Sequence, residues 1–279
     1  MGALKFPATT ISCWIAVSNR LFNLVLIAVT GLLVLIFIFL IGSLAFEFFR
    51  TAPERSTDFA RIFFALRLSL VTATTSAAVA LVVGTPVAYF LSRHKFPGHK
   101  IIDTLLDLPV FLSPVALGAM LLLFFNTPAG RGIENLTGEI VFTVRGIIIA
   151  QFFVIIGLGI RLLKNTFEHI DQEYEQMSRV LGANKLQTFY RVVLPLAKKG
   201  MISTLLLTWA RAIGEFGATM TLAGATPFKT TTLPVGIHLG FQAADIHRAT
   251  IFILILIAIS LLVLLSSRLL LEGENNDRS

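Results

Sequence analysis

The sequence predicts an all-α, polytopic membrane protein with six transmembrane helices. Three observations carry this. Of 279 residues, 55% are hydrophobic and only 14% charged, against about 25% charged in a soluble domain. Mean hydropathy is +0.82. The apolar residues gather in runs close to the length of about 20 that a helix needs to cross the hydrocarbon core. Within lipid such runs must be helical, because every backbone polar group needs an internal partner. The same numbers exclude a disordered chain, a coiled coil and a disulfide scaffold. The single cysteine, Cys13, excludes an internal disulfide and a zinc site built on several thiolates.

The first span is residues 21–41, interrupted by Asn23 and Thr30. It is too long for a signal-peptide core and is read as a retained span; Cys13 and Trp14 fall at the membrane edge. The second, 66–91, is rich in small residues. Its Thr72, Thr74, Thr75 and Ser76 suit helix–helix packing, and Gly84 with Pro86 predicts a kink. The third, 105–125, contains Pro109 and Pro114, which should bend it. The fourth is 146–163, the fifth 202–224 and the sixth 250–271. A polar tail follows from Glu272.

Charge sets the orientation. Fourteen Lys and Arg residues lie in the N-terminus, the 92–104 loop, the 161–200 stretch and the C-terminal tail; seven lie in the alternate loops. Cytoplasmic loops collect such residues. Both termini and the 164–199 loop are therefore expected on the cytoplasmic side of the plasma membrane, the inner one if the cell has two, and the net charge of +7 needs no nucleic-acid partner. The five histidines show no metal-ligand spacing, and no catalytic constellation or cofactor motif stands out.

The loop at 164–199 is the most structured of the connections. Asp171 can cap a helix whose first turns carry Glu173 and Glu175, and Gly182 stands where such a helix would end. Asn184 with Gln187 can form a capping box for a second helix. Leu186, Phe189, Tyr190 and Val193 give that helix an apolar face, and Pro195 is expected to end it. Such a hairpin could lie on lipid headgroups or dock a cytoplasmic partner. In the fifth span Arg211 and Glu215 are four apart and share a helix face. Charges at membrane depth should pair, face protein or line water. The pair therefore reads either as a structural lock or as part of an anion path, with Gly214 and Gly217 permitting a local break.

These residues also carry a resemblance. Gln176-Met177-Ser178, Gly182 and then Val192, Leu194 and Pro195 resemble the "EAA" loop of ABC-importer permeases. Gln-Met-Ser stands where that family has Glu-Ala-Ala, and Glu175 lies one residue away. Gly84-Thr-Pro86-Val-Ala88-Tyr89-Phe-Leu91-Ser-Arg93 resembles the end of an early span in the same permeases. Arg211-Ala-Ile-Gly214-Glu215-Phe216-Gly217-Ala218 with Thr232-Leu-Pro234, and Asp107-Leu-Pro109 through Gly118, are similar to the molybdate, tungstate and sulfate branch. The resemblance implies a single transmembrane permease domain over 1–279 that imports a tetrahedral oxyanion, molybdate or tungstate ahead of sulfate or thiosulfate. It implies that Gln176, Met177, Ser178, Gly182, Leu186, Phe189, Val192, Leu194 and Pro195 form an ATPase-coupling loop. It implies that Arg211, Gly214, Glu215, Phe216 and Gly217 lie on the translocation path or gate.

It further implies two ATP-binding cassette ATPase subunits, a second permease copy or paralogue, and an extracytoplasmic substrate-binding protein. No G-x-x-x-x-G-K-[ST] phosphate loop occurs in the sequence, so ATP hydrolysis is expected on a partner rather than on this chain. The rival reading is an ion-coupled secondary transporter. Such proteins show internal repeats and ionisable residues in several spans, whereas this sequence shows one intramembrane pair and no repeat.

Overall fold

A computed structural model describes the backbone of residues 8–50 and 58–272, and side chains over 22–50 and 58–266. Cys13 and Trp14 lie outside the described side chains. The chain divides into two compact units, Met1–Glu54 and Arg55–Ser279. In the first, α1 (Ala8–Arg50) is one helix of 43 residues, and every side chain from Phe22 to Ile41 is exposed. A helix that is apolar on all sides is suited to lipid rather than to one packed face.

The second unit holds the remaining helices: α2 (Phe59–Arg93), α3 (His99–Phe111), α4 (Pro114–Phe125), α5 (Pro128–Thr137), α6 (Val144–Glu168), α7 (Gln172–Val180), α8 (Lys185–Thr188), a π-helical turn (Phe189–Val193), α9 (Leu194–Ile213), α10 (Gly217–Ala223), α11 (Leu233–Gln242) and α12 (Ile246–Glu272). Among the described residues there is no strand. Five helical stretches are long and apolar enough to cross a membrane, six when α3 and α4 count as one broken span.

The centre is built on α2 packed against α6. Ala65, Ser69, Thr72, Ala73, Ser76, Ala77, Ala80, Gly84 and Ala88 form the buried stripe of α2. Small side chains let two helices approach closely where the hydrophobic effect supplies no drive between them. Ala73, Ala77 and Ala80 share a core with Ala150, Val154 and Ile155 of α6, Ala212 and Ile213 of α9, and Ala218 and Leu222 of α10. A second core, at the α7 end of the unit, joins Ala88 and Leu91 to Ile160, Leu163, Phe167, Val193 and Ala197. Thr72 and Ser76 are buried while Thr74 and Thr75 are exposed. The polar surface of the second span is thus divided between packing and the exterior.

Three expectations are refined. The third span is two helices meeting at 108°. Pro114 brings no N–H and forces Ser113 into an extended conformation, and the Ser113 hydroxyl then caps α4 by accepting from Ala116 N at 3.2 Å. Pro109 sits inside α3 without ending it. The fifth span is α9 and α10, broken at Gly214–Phe216.

The largest correction concerns Pro195, which does not end the hairpin's second helix. Residues Lys185–Ile213 form one 29-residue helical run. A π turn with Leu194 N donating to Phe189 O precedes the proline. That wider turn leaves room for the ring and absorbs the missing donor.

Two contacts fasten the outer helices. Lys164 Nζ donates to Asp103 Oδ2 at 2.5 Å, tying α6 to α3. A Cβ on Gly118 would lie 2.7 Å from Ala218 Cα, so only glycine allows α4 to approach α10 this closely. At the end of the unit away from α7, Glu134 accepts from Ile140 N at 2.8 Å and Val141 N at 3.1 Å. These two amides, that of Val141 first, hold the Glu134 carboxyl below its usual range.

Candidate functional site

The hairpin forms from local rules. Asp171 Oδ1 accepts from Glu173 N at 3.0 Å and starts α7. Gly182 ends it at φ +92°, with Gly182 N donating to Arg179 O at 3.0 Å and Ala183 N to Ser178 O at 3.1 Å. That bond pair is a Schellman motif, which requires the left-handed conformation that glycine tolerates best. Asn184 and Gln187 then close a full capping box, at 2.8 and 2.9 Å. Of the residues implicated by the sequence, Gln176, Met177 and Leu186 are exposed, and Ser178 Oγ meets Thr188 Oγ1 at 3.3 Å to link the two arms. Phe189, Val192 and Leu194 are half-buried, and Pro195 is exposed at the start of α9.

One side of the hairpin is apolar and uncovered. Val180 and Leu181 are 87% and 84% exposed, and Tyr174, Met177, Leu186 and Tyr190 are exposed with them. The other side carries a residue that the sequence reading left at the margin. Glu175 turns inward, where its Oε1 accepts from Arg93 Nε at 2.7 Å and its Oε2 from Tyr89 OH at 2.7 Å. Arg93 Nη2 also donates to Ile170 O at 3.0 Å. The Arg93 and Glu175 side chains are only 8% and 9% exposed. The Tyr89 ring packs edge-on to Phe167 and tilted against Phe189. The α2 motif and the loop motif, 82 residues apart at this bond, therefore meet in one buried ion pair.

The second candidate site is the break between α9 and α10. Glu215, 2% exposed, pairs through Oε2 with Arg211 Nη1 at 2.7 Å. Its Oε1 accepts from Ala218 N at 3.0 Å. One carboxylate thus holds both helix ends together. Arg211 keeps 40% of its side chain exposed, so its charge is only partly withdrawn from the subunit surface. Gly214 is exposed, and a Cβ on Gly217 would lie 2.9 Å from Val115 Cγ2. Phe216 lies tilted against His238 at 5.0 Å between ring centres. Trp209 Nε1 donates to Thr74 Oγ1 at 2.9 Å beside the break.

The break also uses a residue that the sequence reading passed over. Gln151 Nε2 donates to Ala212 O at 3.1 Å, a second bond to a carbonyl at the end of α9 that also accepts from Glu215 N at 3.1 Å. Ser76 Oγ in turn donates to Gln151 Oε1 at 3.1 Å and lies 3.0 Å from Ile148 O. The signal was available: Gln151 is the one amide side chain in the apolar run 146–163, and polar side chains in such runs seek partners on other helices. Hairpin and break are not brought together. They lie at opposite ends of the run Lys185–Ile213.

Comparison with known proteins agrees with this architecture. A family model described as the inner membrane component of binding-protein-dependent transport systems matches residues 80–272. The probable transport system permease NifC of Clostridium pasteurianum is 37% identical over 75% of this chain and 73% of its own length. A probable molybdenum ABC transporter permease of Haloferax volcanii is 36% identical over 82% of this chain and 83% of its own. The sulfate permease CysW of Synechocystis is 36% identical over 72% and 74% respectively. Among solved structures, a bacterial alginate ABC transporter in complex with its pentasaccharide-bound periplasmic protein covers 91% of this chain and 94% of the matched one. Its TM-score is 0.69 at 19% identity. An inward-facing MetNI methionine transporter covers 74% and 93%, with a TM-score of 0.57 at 16% identity. At these identities the structural matches speak to the fold alone.

Proposed function

The chain belongs to the inner-membrane components of binding-protein-dependent transport systems, and from that membership we propose that it is the permease subunit through which a tetrahedral oxyanion enters the cell. Molybdate or tungstate stands ahead of sulfate, because relatives similar over most of this chain are named for molybdenum and for sulfate. Arg211, half-exposed at the break, is the residue suited to an anion path. Gly214, Phe216 and Gly217 shape the break around it, and Glu215 sets the position of the guanidinium.

ATP hydrolysis is assigned to two ATPase subunits, each receiving one hairpin. The observation that carries this is the hairpin itself, an uncovered apolar face backed by a buried ion pair. Burying Val180, Leu181 and Leu186 contributes about 1.5–3 kcal/mol each, enough to hold a partner on a small contact. Gln176, Met177 and Gly182 belong to the same docking element, and Phe189, Val192, Leu194 and Pro195 join it to α9. A second permease copy or paralogue completes the pore, and a substrate-binding protein delivers the anion outside. The Lys and Arg distribution supports placing the hairpin and both termini in the cytoplasm.

The test is uptake by the complex reconstituted from this chain and the ATPase that co-purifies with it, with molybdate, tungstate and sulfate competing. Gly182→Arg should leave the protein in the membrane but impair assembly or uncouple ATP hydrolysis from uptake. A Cβ there meets no neighbour within 4 Å, so the cost comes from backbone strain and from the partner surface. Normal coupling in that variant would remove the hairpin from the ATPase contact.

A further inference from the structure

A cavity lies on the inner side of the hairpin, away from its uncovered apolar face. Its volume is about 280 Å³, and Tyr89, Arg93 and His94 from the end of α2 face Gln172, Glu175, Arg179, Lys185 and Thr188 of the hairpin across it. That size is just below the roughly 300–1,000 Å³ of sites for drug-sized ligands. The charges are unbalanced. Glu175 is answered by Arg93 and Tyr89. Arg179 is exposed and commits only its Nε, to the Glu175 backbone carbonyl at 3.3 Å. Lys185 is exposed on the facing arm. Two positive charges are therefore left over in a small polar hollow, with further N–H donors unspent.

We propose that this cavity binds a phosphate-class oxyanion at the joint between α2 and the hairpin. The guanidinium of Arg179 offers a planar fork to two oxygens, and the Lys185 ammonium supplies a third contact from the opposite arm. Inorganic phosphate as the dianion matches both uncompensated charges, and the monoanionic phosphodiester of a lipid answers one of them. The anion can be free in solution or be the phosphate of an anionic lipid, since the cavity opens at the end of a span, the depth at which basic clusters meet headgroups. Bound there, it ties α7 to α8 across a cavity that the end of α2 also lines, so it stiffens the hairpin from its inner side. The assignment does not depend on which substrate the permease carries, and its test needs no ATPase.

The experiment is thermal unfolding of the delipidated, detergent-purified full chain. It is titrated with sodium phosphate against sodium chloride at equal ionic strength, and separately with phosphatidylglycerol against phosphatidylcholine. A ligand that binds only the folded form raises the midpoint in a saturable way, and a rise of several degrees is expected. Phosphate alone active identifies a soluble oxyanion, phosphatidylglycerol alone a lipid phosphate, and both together a site open to either. Arg179→Gln and Lys185→Gln should each shrink the rise and together abolish it, while Lys185→Arg keeps it. The variants' midpoints without ligand report whether they fold. If neither probe exceeds its control, or if the double variant keeps the full rise, the assignment is overturned.

Discussion

Replacing Glu175 by glutamine tests how the hairpin is held. The glutamine side chain is nearly the same size and still accepts from Tyr89 OH, but it leaves Arg93 buried without a counter-charge. Removing one partner of a buried ion pair costs about 3–5 kcal/mol. Both side chains are more than nine-tenths buried, so little of that is lost to solvent screening. The cost should fall on the hairpin rather than on the bundle, because the buried residues of the main cores come mostly from α2, α4, α6, α9 and α10 and none from α7. Local opening is a lower-energy event than global unfolding. At about 1.4 kcal/mol per tenfold, amide exchange over 172–181 should speed up by about a hundredfold to a few thousandfold. Exchange in the buried stripe of α2 should hardly change. Arg93→Gln combined with Glu175→Gln removes both charges and should recover much of the loss, giving a large coupling energy in the double-mutant cycle. Hydrogen exchange on the purified protein, read by mass spectrometry, measures all of this. Unchanged protection of 172–181 in Glu175→Gln would refute the reasoning, since the hairpin would then be held by something other than this pair.

The same logic applies at the break, with a different expected outcome. Arg211→Gln leaves the buried Glu215 without its counter-charge, at a cost below the about 3–5 kcal/mol of a fully buried pair because Arg211 is 40% exposed, and Glu215→Gln added to it should restore the melting temperature yet leave oxyanion uptake low. Full uptake by the well-folded double variant would take both residues out of the translocation path. Glu134 supplies a pH test. Its folded-state pKa is depressed by the Val141 and Ile140 amides, so the turn it pins is supported at any pH above the unfolded value, near 4.3, and loses that support as the pH falls through the folded one. The protection factors of the Ile140 and Val141 amides, taken against the intrinsic exchange rate at each pH, should fall on acidification in the native chain but stay level in Glu134→Gln. For topology, single cysteines at Lys185 and Lys229 in a Cys13→Ser background should label from opposite faces of sealed vesicles. Labelling from one face would overturn the six-span arrangement.

What the sequence disclosed followed the range of the interaction. The ends of α7 and α8 were legible because caps and glycine stops act within four residues: Asp171, Gly182, Asn184 and Gln187 each do what their chemistry requires. The bend at Pro114 and the break at Gly214–Phe216 were legible for the same reason. Pro195 misled because the rule that proline ends a helix assumes α-helical spacing, and a single π turn relaxes it. Glu175 reads from the sequence only as helix-start charge beside the loop motif, because its partners, Tyr89 and Arg93, are brought to it by the α2–α6 packing and not by any local pattern. Gln151 shows the same limit. Its amide was visible in an apolar run, but that it reaches the Ala212 carbonyl depends on where α9 stops.

The continuity of Lys185–Ile213 has a mechanical consequence. At about 1.5 Å per residue, 29 residues make a rod about 43 Å long. A tilt of about 5° pivoted at the hairpin carries the far tip about 4 Å, more than the 1–2 Å shifts of helices at many switching interfaces. The tip is where the rod stops, at Gly214, and where Glu215 grips the next short helix. Under the proposed docking, such a lever arm delivers small rotations of the hairpin as a displacement at the break, with the π turn as its one irregular segment. The break is then the output end of the lever, and the stiffness of the π turn at Phe189–Val193 sets how much of the rotation arrives there.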